Sequence, residues 1–536
     1  MPAQRWTVLA AFVLVAAVLA ATPSGSCGAN TYWQGPPGSA ESWFTAANWT
    51  AGVPNSDDYA YVDNVGQVTI DSGTAQAGVL HLGYDDSGTL NQCGGTLTIS
   101  RYYVYLGCNA GSTGRYEMSG GTLRITGSGG TLYVGNYGDG TFVQTGGTVT
   151  GGDSALALGF RAGSTGLYLM SSTASLTVAS TLVGCYGTGR FEQTGGSHTL
   201  FKVLRLGYHL GSSGTYLLGG GTLTAPEIRV GCLEGAGRMT QTDGECTVSG
   251  SLYLGGSETC SSGTYELEGG GLTVGALVIG WNGAGVLRQT GGRLTVADRI
   301  DNGGVIDLAG GTLVADTLAV GYLADSDGLL GVNGGLLQTR HLLVGTEAGR
   351  GRLALLEPTA RVEVAADWDV GPYGALTVAP GVEVHMTGSA FLNHSTDNAA
   401  LADLEYLRLV FEGGDDHESF IEVAGADLGL LPEGFHENFA LAALVVGTEE
   451  CRAIVRLIDD FDNGNRTSPE ALYVHDLVVG PGSVLDLNGL KLYYDGTYEN
   501  LGGQVLGGQP MPEPATLALV ALGGLVLLRR RRRASA

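Results

Sequence analysis

Apolar and polar residues alternate in short runs through most of this chain, and the runs recur at a fixed distance. The clearest mark is an aliphatic residue followed by Gly. It stands at Leu82-Gly83, Leu106-Gly107, Val134-Gly135, Leu158-Gly159, Val183-Gly184, Leu206-Gly207, Val230-Gly231, Leu254-Gly255, Ile279-Gly280, Val320-Gly321, Val344-Gly345 and Val370-Gly371. The steps between marks are 24, 28, 24, 25, 23, 24, 24, 25, 41, 24 and 26 residues. The long step points to a mark lost near Asn302-Gly303. A period of this size is the signature of a stacked repeat.

Each unit holds three period-2 runs, each fitting a short strand with one face buried. The first is GGTLTI-like, as at Gly94–Ile99; the second ends in the mark, as at Tyr103–Leu106; the third starts at a Gly, as at Gly114–Met118. Three strands and three corners in about 24 residues make one coil of a parallel β-helix. The predicted fold is therefore all-β, a β-solenoid with N- and C-terminal caps. Leu97, Leu123, Leu223, Leu272, Leu294 and Leu313 share one inward column. The next residue is Thr98, Thr150, Thr177, Thr199, Thr224, Thr247, Thr273 or Thr295, and alternation turns this column outward. Arg124 interrupts the row, and Val314 and Gln338 end it.

A doubled period overlies the single one. FVQTGG, FEQTGG, MTQTDG and LRQTGG start at Phe142, Phe191, Met239 and Leu287, and YEMSGG, YLLGGG and YELEGG alternate with them at Tyr116, Tyr216 and Tyr265. Longer corners, such as Asn109–Gly114 and Arg161–Gly166, fall in alternate units. A unit of twice the length also suits a propeller blade, but each half repeats all three strands, which favours the solenoid.

Composition sharpens this picture. There are 91 Gly among 536 residues and only 15 Pro, with 43% hydrophobic residues, so the glycines punctuate a globular chain. The net charge of −25, with Lys only at 202 and 491, disfavours nucleic acid as a partner. Cys108, Cys185 and Cys232 follow the mark glycine in one column and read as small stacking residues. No catalytic motif is present, and the acids scatter among corners, so no enzyme and no cofactor are expected. Asp415-Asp416-His417-Glu418 reads as a polar loop. Asp460-Phe461-Asp462-Asn463-Gly464-Asn465 opens like a calcium loop, but Glu470 falls at position 11 instead of 12, so no metal site is expected.

The chain divides into residues 1–26, with Arg5 and an apolar run, read as a signal peptide; 27–78, a Trp-containing N-terminal cap; and 79–398, the repeat array. Residues 399–500 read as a C-terminal β region, 501–510 as a Gly-rich linker, and 511–536 as a tail with an apolar segment and an Arg cluster. The tail joins Pro512-Glu513-Pro514 to Ala515–Leu528 and then Arg529, Arg530, Arg531, Arg532 and Arg533. In that order these parts resemble the PEP-CTERM sorting signal of Gram-negative bacteria, over the last 26 residues. The GGTLTV…LxVG…FxQTGG units resemble repeats shared by PEP-CTERM proteins and autotransporter passengers, over roughly half of the chain.

The resemblance implies a β-solenoid with no defined activity. It also implies an exosortase-type membrane protease as partner, cleavage near the motif, and transient membrane contact through a C-terminal hydrophobic helix. The expected location is the cell surface or extracellular matrix, and the expected role is structural or adhesin-like. Two other readings compete: a carbohydrate- or ice-binding module using the Thr row, in contact with exopolysaccharide or other surface glycans, and a polysaccharide-degrading enzyme.

Overall fold

The computed structural model describes residues 28–256, 261–346, 349–413, 417–464 and 470–512. One turn illustrates the rest. Thr113–Met118, Thr122–Ile125 and Thr131–Val134 are strands joined by two corners. Alternation buries Tyr116, Met118, Leu123, Ile125, Leu132 and Val134. The following turn repeats the pattern in parallel register, with Phe142 on Tyr116, Val149 on Leu123 and Leu156 on Leu132. No turn buries its apolar face alone; each is closed by its neighbours.

The result is an all-β parallel β-solenoid of about 19 turns with almost no helix. At about 4.8 Å per turn the stack extends on the order of 90 Å. Helical structure among the described residues is limited to the short 3-10 segments Ala46–Asn48, Ala399–Tyr406 and Pro432–Phe435. The strands pair in parallel, and the one antiparallel pairing between described strands joins Gly425–Ala426 to Glu470–Ala471. A propeller, built of antiparallel blades, does not fit this pairing. The expected signal peptide, 1–26, and the expected hydrophobic helix of the tail, 515–528, lie outside the described residues.

Parallel pairing starts earlier and ends later than the array read from the marks. Asn30–Tyr32 already lies on Tyr59–Val62, and Ala40–Ser42 on Gly66–Ile70. At the other end Gln504–Leu506 pairs with Val484–Asp486, and Met511–Pro512 with Tyr493–Tyr494. Paired backbone therefore runs through the Gly-rich stretch 501–510, where Val505 packs against the core.

The marks are corners. Gly107 has φ 66°, and a Cβ there would stand 2.3 Å from the Asp139 carbonyl oxygen of the next turn. Only Gly meets both demands. The lost mark is Asn302, which sits in register with Ile279 and Val320 and is fully buried. Its amide replaces the missing apolar contact by bonding: Nδ2 donates to the Leu329 carbonyl at 2.9 Å, and Oδ1 accepts from the Gly304 N–H at 3.0 Å.

The doubled period is a core device. Tyr116, Phe142, Tyr168, Phe191 and Tyr216 stack on successive turns with ring centroids 4.6–4.8 Å apart. Each Tyr hydroxyl donates to a Gln Oε1 one turn earlier. Tyr116 reaches Gln92 at 2.5 Å, Tyr168 reaches Gln144 at 2.7 Å, Tyr216 reaches Gln193 at 2.6 Å and Tyr265 reaches Gln241 at 2.6 Å. Gln144 Nε2 in turn donates to the Gly147 carbonyl at 3.1 Å and the Ser175 carbonyl at 3.0 Å. Rows without a hydroxyl face rows without an amide: Phe142 follows Met118, and Phe191 follows Met170. The pattern stops at Gln289, whose next turn supplies Ile306, and Gln289 Oε1 is buried with no hydrogen-bond partner.

Candidate functional site

The threonine column becomes a ladder. Thr150, Thr177, Thr199, Thr224, Thr247, Thr273 and Thr295 are direct register partners over successive turns. Arg124 separates Thr98 from Thr150, and Val314 follows Thr295. Thr224, Thr247 and Thr273 are exposed, and the other five are half-buried. Two residues earlier on the same strands runs a second hydroxyl row: Thr74, Thr96, Thr122, Thr148, Ser175, Ser197 and Thr222. The rows lie side by side from Thr148 to Thr224, after which Glu245, Gly271 and Arg293 replace the second hydroxyl. The leucines named as inward are all fully buried, and the same column also holds His198 and Cys246.

His198 is a core imidazole that periodicity alone did not single out. It stacks on Phe191 at 4.9 Å, and its nitrogens lie 3.1 Å from Thr181 Oγ1 and 3.0 Å from the Tyr216 hydroxyl. Burial lowers its pKa to about 3, so it is neutral at ordinary pH. The cysteines after the marks, Cys108, Cys185 and Cys232, are buried free thiols.

A different face carries aromatic and basic groups. Tyr32, Tyr61, His81, Tyr105 and Tyr133 follow one another in register, with ring centroids 4.5–5.1 Å apart. Farther along the same column stand Arg205, Arg229 and Tyr253. They line a surface depression with Tyr208, Cys232 and Trp281. Arg205 lies over the Tyr208 ring and Arg229 over the Tyr253 ring, each 5.1 Å from the centroid. Trp281 is 50% exposed and stacks beside Tyr253 at 6.2 Å. No sequence motif marked this depression, because its members come from separate turns and from corners.

The third cluster joins three carboxylates. Glu422 ends the strand Glu418–Glu422, Asp459 follows Ile454–Ile458, and Glu470 opens Glu470–Val479. The first two strands are parallel neighbours, with Glu422 opposite Ile458. One carboxylate oxygen from each of the three residues lies within 4.8 Å of the others. Glu422 and Glu470 are each 2% exposed. Glu422 Oε1 accepts the Asp460 and Phe461 N–H groups, both at 2.9 Å, and Glu470 Oε1 accepts the Asn463 N–H at 3.0 Å. Burial pushes both carboxyl groups up, Glu422 to about 7, with the backbone donors opposing it. Spacing along the chain hid this group, since Glu422 lies far from the Asp460–Asn465 segment. Of Asp415–Glu418, the first two residues lie outside the described residues, and Glu418 Oε1 stands 3.9 Å from Arg456 Nη1.

Of the residues expected to form a sorting motif, Pro512 pairs opposite Tyr494. Glu513, Pro514 and Arg529 to Arg533 lie outside the described residues. Among the described residues no helix is long and apolar enough to cross a membrane. No family model, no curated protein and no solved structure matches this chain.

Proposed function

We propose that this chain is an exported structural or adhesin-like β-solenoid of the cell surface or extracellular matrix. In this reading the tail beginning at Pro512 is its sorting signal and an exosortase-type membrane protease its partner. The observation that carries the structural role is the parallel stack itself, which among the described residues continues from Asn30 to Pro512. A rod of this kind offers long faces on which one group repeats at every turn, a geometry suited to extended, many-point attachment. At its first turn Trp33, Trp43 and Trp49 pack edge to face and are buried, which suits a cap over the open end of the stack. Among the described residues the paired backbone runs as far as Pro512, the first residue of the motif. Intact-mass analysis of surface material tests sorting. The expected mature chain lacks the first 20 or so residues and everything after the Pro512-Glu513-Pro514 motif. Surface material that retains Arg529–Arg533 refutes cleavage.

A second reading is glycan contact. The row of hydroxyls supports it, and so does the Trp281–Tyr253 depression, where the exposed Trp281 ring and the half-buried Tyr253 ring beside Arg205 and Arg229 suit the apolar face and hydroxyls of a sugar. Trp281→Ala is expected to weaken binding of matrix oligosaccharides at least tenfold without change in folding. Equal binding by the variant removes the depression from consideration.

A further inference from the structure

We infer that Glu422, Asp459 and Glu470 form a binding site for a hard divalent cation, with calcium its expected occupant. Each buried glutamate has one oxygen anchored by backbone donors, Glu422 Oε1 by two N–H groups and Glu470 Oε1 by one. The other oxygen of each, Oε2, is buried and has no hydrogen-bond partner. A buried carboxylate oxygen without a partner is costly, and here two such residues converge with Asp459 within 4.8 Å. In the adjacent segment Asn463 is 4% exposed, its Nδ2 bonded to the Asn393 and Ser395 carbonyls at 2.9 and 2.8 Å, while its Oδ1 is also without a partner.

The donor set decides the class of ion. All the donors are oxygens, three of them carboxylates, which suits calcium, magnesium or manganese rather than a soft metal. Calcium tolerates an irregular set of oxygens, whereas magnesium demands near-octahedral geometry and keeps its waters. The three carboxylates come from two successive turns of the solenoid: one strand end, then the corner after its neighbour in the next turn and the start of the strand that also makes the antiparallel pairing at Ala426. A cation there ties those turns together and offsets repulsion between two buried anions.

The rival account is that protons shared among the carboxyl groups satisfy them without a metal. The full-length protein, stripped with a chelator, distinguishes the two at pH 7.5. Calorimetric titration with calcium chloride is expected to give one site, with a dissociation constant on the order of 10⁻⁴ M or tighter. Melting temperature is expected to rise on adding calcium and to return on chelation. Glu470→Gln keeps shape and is expected to weaken calcium binding at least tenfold. In chelator the same variant is expected to melt no lower than the stripped wild type, because it removes a buried repulsion. That second result separates a ligand from a residue that merely supports the fold. A wild type with no binding heat and an unchanged melting temperature in calcium, magnesium and manganese overturns the site and leaves the shared-proton account standing. So does a Glu470→Gln variant that binds calcium as the wild type does.

Discussion

Tyr168→Phe removes one oxygen atom from the middle of the solenoid and nothing else. The ring remains between Phe142 and Phe191, whose centroids are 4.7 and 4.8 Å away, so volume and stacking are kept. What is lost is the bond to Gln144 Oε1 at 2.7 Å, in a side chain that is fully buried. Gln144 cannot turn away, because Nε2 is committed to the Gly147 and Ser175 carbonyls. The acceptor is therefore left without a donor, at a cost of about 1–3 kcal/mol. In a stack of turns this cost is felt locally. Native-state hydrogen exchange at the amides of Asp139–Gln144 and Thr165–Met170 is the suitable assay. At about 1.4 kcal/mol per decade, exchange through local opening should accelerate by about 5- to 150-fold. The inverse substitution, Phe142→Tyr, places a hydroxyl opposite Met118, where no amide waits, and should also loosen its turn. Pairing Tyr168→Phe with Gln144→Leu should cost less than the sum of the two single changes, since each single leaves one orphan and the pair leaves none at that contact. Unchanged exchange in Tyr168→Phe, or strict additivity in the pair, would refute the relay as a source of stability.

Two further outcomes follow from the same core and faces. His198, held near pKa 3 in the fold, takes up a proton near pH 6.5 only when the chain unfolds, so the unfolded state binds more protons between those values. Stability therefore falls as pH drops through that window, by up to about 1.4 kcal/mol per pH unit from this group, and His198→Leu should flatten the acid limb of a melting-temperature profile by up to one proton. Replacing Thr224, Thr247 and Thr273 together with Val preserves β-branching, so the fold should persist by circular dichroism; loss of matrix attachment would assign binding to this face, and unchanged attachment would make the ladder structural.

Much of the architecture was legible because solenoid physics is written in period and alternation. Leu223 is buried and Thr224 exposed for the same reason that they are adjacent on one strand. Even the irregular step near Asn302 was located, since a polar residue in a mark position still keeps the count. Less legible was anything made by residues that meet only across turns. The FxQ runs were visible, yet their purpose required knowing that Tyr168 stacks on Phe142 with its hydroxyl reaching Gln144 of that same turn, which depends on register. Glu422 and Glu470 belong to the C-terminal turns, where the marks fade and corner lengths vary, so no spacing rule brings them together. The Gly-rich stretch 501–510 looked like a tether, but a short strand on the last turns needs few side chains to pair; Val505 alone reaches the core.

The alternation of tyrosine and glutamine rows gives the array a parity. Excising a single turn, the one that carries Phe142 and Gln144, would seat Tyr168 on Tyr116 with its hydroxyl toward Met118, stranding that hydroxyl in an apolar layer. Excising two consecutive turns would return each Tyr hydroxyl to a Gln and leave the interior in phase. Insertions, deletions and unequal crossovers in this part of the gene are thus tolerated in even steps and penalised in odd ones. The length of the rod is adjustable, but its natural increment is the pair of turns, and an engineer who wishes to lengthen or shorten it should cut on that boundary.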